Sequence, residues 1–582
     1  MSDKESYDFD FLDALDMEND SPWVRPDRPW LKRRPPEAAK TVKYPKLNGF
    51  PDFLKRSVQY FPNNVCMHFP QTNLKYTYYE TKYNADILSN ALISEFGIKK
   101  GDGIAVMTPN CPEFIFTAFA SGQTGAILIP VNYLLKKKEV KHIVESAGNV
   151  KVFITDRQFV GMVKRASKEI GIENIIKITS DKPDDLTVQK LLEKYPPKDP
   201  NVKINVQEDL AGLLFTGGTT GLPKGVMLTH SNLISNCFQL FSTGLASSSW
   251  KGYEEYMKEL GMGRTVTVNP LCHAMGFYIL NVCVAGATTL IVFSSFDAGG
   301  VLKMLEKYQI KTFTTVPTAF NFIINHPDFK TRDLSALESS GSGSAPLPYK
   351  LAKTWGDRTG LKVSNAYGLT EVTCFCHGTA FWEEINPQSI GFPVIDTDAK
   401  IVDPPDYITE LKPGERGELL IRGPQVMKGY WKNPEATQRT LVEDENGNIW
   451  LRTGDVAIME ENGFFFIVGR TKEQIKYKGY RILPAEVEDS LFEHPAVLDC
   501  GVIGVPHELA GETIKAFIKL KPEYVGKITE QEIIEWAKEN LAGYKYPRMV
   551  EFVGMIPKTP VGKTMRRALL EKELQKIKAA KG

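Results

Sequence analysis

The sequence predicts an α/β protein in which a large N-terminal domain of mostly parallel sheets flanked by helices carries a small β-rich subdomain. A small mobile α+β C-terminal domain completes it. Three observations carry that expectation. From residue 44 to about residue 293, amphipathic helical segments alternate with short apolar strands, the pattern that lays parallel strands between layers of helix. At 582 residues the chain is too long for one hydrophobic core. Beyond Gly414 the texture changes to short strands and turns, and a compact α/β tail closes the chain.

In chain order, residues 1–20 hold eight acids and one lysine, and residues 21–40 turn basic and hold five prolines. Proline removes donors and disfavours helix, so residues 1–43 read as an extended arm pinned by Trp23, Trp30 and Leu31. Strands are expected at 104–107, 126–131, 152–155 and 289–293, with amphipathic helices at 81–95 and 138–146 between them. Two uncharged runs, 114–135 and 274–296, are long enough to raise a transmembrane reading. Both contain glycine and polar residues, and the first holds Pro130, so helix followed by buried strand accounts for them and no transmembrane segment is expected. Strands at 418–422 and 464–468 flank a hairpin signal, Glu460-Glu461-Asn462-Gly463. A glycine beside charged, solvated residues suits a hinge, which puts the domain joint at 470–472 and divides 44–469 from 470–582.

Composition narrows the function classes. A hydrophobic content of 42% with 24% charged residues is that of an ordinary soluble globular protein. A net charge of +1 gives no electrostatic case for nucleic acid or for an anionic membrane. Eight scattered cysteines form no disulfide framework and fit a reducing compartment. Cys374-x-Cys376-His377 lacks a second ligand pair at zinc spacing and reads as buried thiols. The acidic N-terminus is unlike a signal peptide. A cytoplasmic location is expected, with peripheral membrane association and a homodimer left open.

The chemistry is concentrated in Leu213-Leu214-Phe215-Thr216-Gly217-Gly218-Thr219-Thr220-Gly221-Leu222-Pro223-Lys224-Gly225. An apolar strand runs into a loop in which four glycines, three threonines and a lysine fall within ten residues. Glycines let successive N–H groups converge on an anion, while the threonine hydroxyls and the Lys224 ammonium add donors and charge. That is a polyphosphate grip, and its spacing is not that of the P-loop.

The run resembles the phosphate-binding signature of the adenylate-forming superfamily, with Gly217 in a place usually held by serine. Further segments resemble the same family in the same order over nearly the whole chain. Asn269-Pro270-Leu271-Cys272-His273-Ala274-Met275-Gly276 is similar to the segment whose histidine, here His273, borders the acyl pocket; Phe277 falls where some long-chain enzymes place an aromatic gate. Ser342-Gly343-Ser344-Ala345-Pro346 resembles a loop lying against the nucleotide at Gly343 and Ser344, with Ser344 in place of a common glycine. In Asn365-Ala366-Tyr367-Gly368-Leu369-Thr370-Glu371, the resemblance implies that Tyr367 stacks on adenine beside Ala366 and Gly368, Thr370 bonds phosphate, and Glu371, with Thr216, holds Mg²⁺. Ala366 replaces a glycine and adds a methyl to the acyl tunnel wall.

The C-terminal segments complete the set. Arg452-Thr453-Gly454-Asp455 resembles the turn whose aspartate accepts the ribose hydroxyls, helped by Arg470; Lys472 matches the hinge. Gln474-Ile475-Lys476-Tyr477-Lys478-Gly479-Tyr480 is similar to the strand presented to CoA, with Lys476 contacting nucleotide in that second state. Pro557-Lys558-Thr559-Pro560-Val561-Gly562-Lys563 resembles the loop that delivers the catalytic lysine, Lys563. The resemblance implies an AMP-forming acyl-CoA synthetase, most like medium- and long-chain fatty acid–CoA ligases, with ATP, CoA and a carboxylic acid as substrates and Mg²⁺ as cofactor. Residues 477–486 read more like the branches acting on aryl and medium-chain acids, so an aryl or short hydroxy acid is the alternative substrate. A catalytically dead nucleotide binder is disfavoured because Lys224, Glu371, Asp455 and Lys563 are all intact.

Overall fold

A computed structural model describes residues 14–35, 38–180, 182, 184–216, 223–245, 260–345, 347–379, 383–403, 409–477, 480–507, 511–558 and 564–581. The chain forms two compact units, residues 1–398 with 421–451, and residues 399–420 with 452–582. The fold is mixed α/β, as predicted.

In the first unit a seven-stranded sheet runs Gly429–Tyr430, Lys224–Thr229, Leu210–Thr216, Ile127–Pro130, Gly103–Met107, Val150–Thr155 and Asn174–Lys177. Its last five strands are parallel, and the first two run antiparallel to their neighbours. The unit also holds a four-stranded sheet, two two-stranded pairs and a three-stranded parallel sheet built from Thr312–Thr315, Ser339–Ser342 and Val363–Asn365. Both uncharged runs resolve into buried helix and buried strand. The first is helix Pro112–Thr124, with every residue but Glu113 buried, and strand Ile127–Pro130. Pro112 opens that helix where its missing N–H costs nothing, and Gly125 closes it at φ 69°. The second is helix Ala274–Ala285 and strand Thr289–Val292. Among the described residues no helix is long and apolar enough to cross a membrane.

The arm is fastened by charge as well as by tryptophan. Trp30 is buried, and Trp23 lies 5.6 Å from the Arg422 guanidinium. Leu15–Asp16 pairs with Thr41–Val42. Two buried aspartates then receive the arm's donors. Asp396 accepts from Ser21 Oγ at 2.7 Å, Thr41 Oγ1 at 2.6 Å, Tyr44 OH at 2.9 Å and the Val42 N–H at 3.1 Å. Asp398 accepts from Arg28 Nε at 2.5 Å and the Arg25 N–H at 3.2 Å, with both side chains of the Arg28 pair out of solvent.

The second unit takes in residues 416–420 of strand Arg416–Arg422, residues 452–459 of strand Ile449–Met459, and strand Phe465–Arg470, the last two joined at the predicted turn, where Gly463 has φ 89°. It also holds a five-stranded sheet centred on Gly511–Leu520 and Val497–His507, covered by Pro484–Glu493, Glu530–Asn540 and Arg566–Lys581. The predicted joint at 470–472 therefore lies inside this unit. Phe465–Arg470 passes straight into the 3₁₀ turn Thr471–Glu473, and Gly469 packs so closely on Leu483 that a Cβ would come within 2.5 Å of it.

Asp398→Ala would bury the Arg28 guanidinium without its carboxylate, a loss of about 3–5 kcal/mol. Urea unfolding followed by circular dichroism should show it, and a wild-type midpoint would refute the latch.

Candidate active site

The glycine- and threonine-rich run is flanked by two paired strands. Strand Leu210–Thr216 pairs antiparallel with Lys224–Thr229, and the register ends on Thr216 opposite Lys224. Both named ends thus stand at the mouth of one turn. Gly217, Gly218, Thr219, Thr220 and Gly221 lie outside the described residues. Beyond the hairpin, Gly429–Tyr430 adds an antiparallel edge strand with Tyr430 opposite Val226. The Lys224 ammonium lies 4.4 Å from the centre of the Tyr430 ring, a cation–π distance. The Tyr430 hydroxyl donates to Glu371 Oε1 at 2.8 Å. One buried tyrosine therefore connects Lys224 to Glu371. Burial, with Glu371 beside it, pushes the Tyr430 phenol well above its ordinary range, so it stays a donor. Tyr430 was missed in the sequence because nothing local marks it; only the pairing of residues two hundred positions apart does.

The three-stranded parallel sheet supplies a second set. Its strands end in register on Thr315, Ser342 and Asn365. Thr315 Oγ1, Ser342 Oγ and Asn365 Oδ1 are buried and have no hydrogen-bond partner among the described residues. Buried polar atoms are nearly always paired, so an unpaired row at the carboxyl ends of parallel strands marks a place built to receive polar groups. The loops leaving that row are the predicted nucleotide loops. Ala366 N–H donates to Ser342 O at 2.7 Å, and a Cβ on Gly343 would stand 3.4 Å from Ala366 O. Ser344 has φ 69°, which explains the common glycine, and its Oγ donates to Met275 Sδ at 3.4 Å. Tyr367 exchanges backbone hydrogen bonds with His377 at 2.9 and 3.1 Å. Gly368 admits no side chain: a Cβ would lie 1.6 Å from Cys374 O. Thr370 and Glu371 then open the 3₁₀ turn Thr370–Val372.

His273 stands immediately before helix Ala274–Ala285. Its Nε2 is 3.0 Å from Asn132 Nδ2, while Asn132 Oδ1 accepts from the Leu134 N–H at 2.9 Å. That second bond orients the amide, so Nδ2 donates, His273 Nε2 accepts and the ring proton sits on Nδ1. Burial lowers the His273 pKa and keeps the ring neutral. Phe277 packs edge-on against Phe50 at 5.9 Å in the main core.

In the second unit Asp455 and Arg470 are cross-strand partners joined at 2.8 Å. Lys472 lies in the turn Thr471–Glu473. Lys476 sits in strand Ile475–Tyr477, its N–H bonded to Glu512 at 2.6 Å, and Tyr480 stacks on Tyr544 at 4.3 Å. Lys478, Gly479 and Lys563 lie outside the described residues. The loop carrying Lys563 is closed at its base by a Lys558–Thr564 bridge and tied down by Lys558 to Asp499 at 2.7 Å. Arg566 adds contacts to Glu488 at 3.1 Å and to Glu473.

Among the described residues no three His, Cys, Asp or Glu side chains gather as a metal cage. One carboxylate with a free oxygen suits Mg²⁺, which is usually held by one or two carboxylates and the substrate's own phosphates. Glu371, whose Oε1 accepts from Tyr430 while Oε2 has no partner among the described residues, fits that requirement. All eight cysteines are free, and burial pushes the Cys374 thiol up to about 12.

The chain matches the AMP-binding enzyme family over residues 54–431 and the AMP-binding enzyme C-terminal domain over residues 486–563. A long-chain-fatty-acid–CoA ligase of Bacillus subtilis (strain 168) is 34% identical over 589 residues, covering 95% of this chain and 99% of the relative. A feruloyl-CoA synthase of an Amycolatopsis species is 34% identical over 498 residues, covering 84% and 92%. The crystal structure of ATP-bound MatB from Rhodopseudomonas palustris has the same fold, with TM-score 0.79 at 24% identity over 90% of this chain and 98% of that one.

Gly368→Ala should displace the turn that carries Tyr367 and Glu371. We expect MgATP affinity to fall about tenfold or more by calorimetry, since shifts near 1 Å have effects of that size. Unchanged affinity would mean the turn does not serve nucleotide.

Proposed function

This chain belongs to the AMP-binding enzyme family, and from that premise we propose that it is an ATP-dependent fatty acid–CoA ligase. A carboxylate, ATP and CoA become acyl-CoA, AMP and diphosphate through an acyl-adenylate. The observation that carries the reading is the contact chain Lys224–Tyr430–Glu371, which brings an ammonium and a carboxylate together beside the hairpin and supports their reading as phosphate and metal ligands. A long-chain ligase relative spanning nearly the full length supports a fatty acid as the acid. An aryl acid is the second reading, supported by the feruloyl-CoA synthase relative, which matches a smaller share of the chain. Eight free cysteines support a reducing, cytoplasmic setting.

The chemistry sets one anion on another. The α-phosphorus is screened by negatively charged oxygens, and diphosphate must leave with more charge, so catalysis is mainly positioning and neutralisation. Residues 216–224 grip the β- and γ-phosphates. Mg²⁺, held at Glu371 with Thr216 nearby, would supply further positive charge to the phosphate oxygens. Gly343, Ser344, Ala366, Tyr367 and Gly368 form the wall for the base, with the row Thr315, Ser342 and Asn365 beneath it, and Thr370 donates to phosphate. Asp455 and Arg470 hold the ribose. Lys563 stabilises charge on the carboxylate and α-phosphate as the C–O–P linkage forms. His273, neutral and carrying its proton on Nδ1, is a donor beside the acyl group rather than a base. In the second half-reaction the C-terminal part turns about Lys472, Lys563 withdraws, and residues 476–480 meet the site. The CoA thiolate then attacks the acyl carbonyl, the carbon–oxygen bond to AMP breaks, and AMP leaves.

A panel of carboxylates from acetate to palmitate, with ferulate, scored for AMP release in the presence of CoA, tests the substrate; highest kcat/KM on a long-chain acid is expected, and preference for ferulate would reverse the choice. Lys563→Ala should slow adenylation about a hundredfold or more yet still convert supplied acyl-AMP and CoA. Equal loss of both half-reactions would remove the division of labour. Gly479→Leu should keep acid-dependent diphosphate exchange and block thioester formation; survival of both would misplace the thiol path.

A further inference from the structure

We infer that Tyr430 is a positioning residue of the nucleotide site: its ring holds the Lys224 ammonium at the hairpin mouth while its hydroxyl orients the Glu371 carboxylate. The inference rests on the reading of Lys224 as a phosphate ligand and Glu371 as a metal ligand.

Four features argue for it. The backbone around Tyr430 is fixed from both sides. Lys428 N–H donates to Met227 O at 3.0 Å and Trp431 N–H to Gly225 O at 2.8 Å, while Tyr430 N–H donates to Thr437 Oγ1 at 2.9 Å. Gly429 reaches this pairing at φ 142°, and a Cβ there would meet Thr437 at 2.8 Å, so the strand approaches in one way only. The side chain is 7% exposed and cannot swing freely. Its two polar functions are then used separately, the ring face for the ammonium at 4.4 Å and the hydroxyl for the carboxylate at 2.8 Å. A carboxylate can only accept, so the bond runs from Tyr430 to Glu371 and leaves Oε2 for a cation. A tyrosine kept for packing alone would need neither function. Here one residue sets the spacing between the two charges that a magnesium polyphosphate must meet together.

The two functions can be removed one at a time, and ATP binding measured by calorimetry with excess Mg²⁺ and again in EDTA separates them. Tyr430→Phe keeps the ring and loses the hydroxyl. It should weaken ATP binding about tenfold in Mg²⁺, the worth of one hydrogen bond to a charged group, and leave binding in EDTA as in wild type. Tyr430→Leu loses the shelf too, so binding in EDTA should also fall, by about three- to tenfold, because Lys224 is no longer held in place. An equal loss for Tyr430→Phe in both media, or none in either, overturns the inference. Lys224→Met and Glu371→Gln are the controls. If both bind MgATP like wild type, the reading of the site itself fails; if both lose binding while Tyr430→Phe does not, only the role of Tyr430 fails. The phenylalanine variant fills the same space, so its result stands even if the leucine variant does not fold.

Discussion

The structure depends on one reversal of direction at the edge of a parallel sheet. Leu210–Thr216 runs parallel to Ile127–Pro130, and the chain then turns back on itself as Lys224–Thr229. A parallel connection would need a crossover of a dozen residues or more, whereas an antiparallel one can be a short tip with its N–H groups exposed. The reversal also occurs at the carboxyl end of Leu210–Thr216, the end of an α/β sheet where ligands collect. Thr315, Ser342 and Asn365 end the three-stranded sheet in the same sense, and Glu371 comes shortly after Asn365. Tyr430 closes the gap between the two sets, because the edge strand that carries it pairs with the returning arm of the hairpin.

Around that reversal the backbone is held in positions that few side chains tolerate. Gly368 passes so near Cys374 O that even a methyl is excluded, and Gly276 does the same against Pro270 O, where a Cβ would stand at 2.1 Å. These approaches let the Tyr367 turn and the His273 helix converge on Gly343 through Met275 and Ala366. Ser344 accepts a left-handed φ of 69° at a cost of about 1–2 kcal/mol, part of which its bond to Met275 Sδ offsets. Strain kept beside unpaired buried polar atoms is common where a ligand, rather than the chain, completes the contacts.

How much could be read in advance depends on how local each signal is. The strand Leu210–Thr216 and the chain's return after it were legible because an apolar strand, a glycine-rich stretch and a lysine are consecutive. The buried helix–strand pairs at 112–130 and 274–292 were legible because Pro130 and the glycines interrupt their apolar runs. Tyr430 was not, since its role needs Val226 opposite it and Glu371 above it. The arm illustrates the same limit. Trp23 and Trp30 were visible as anchors, but Asp396 and Asp398, which accept from Ser21, Arg25, Arg28, Thr41 and Val42, lie more than 350 residues away and have no local mark.

The second unit constrains how two lysine-bearing segments can act in turn. Lys476 lies in Ile475–Tyr477, which pairs with Gly511–Leu520, and that strand also pairs with Val497–His507. The described residues on either side of Lys563 are fastened to the same scaffold, Lys558 to Asp499 and Arg566 to Glu488. Arg566 also reaches Glu473, one residue beyond Lys472. Local loop motion at one segment would leave the other where it was. In the function proposed above, a rotation about Lys472 would carry both together, so that the approach of one segment is the departure of the other. With Lys476 and the residues flanking Lys563 on one scaffold, exclusion between the two half-reactions of that proposal needs no separate signal.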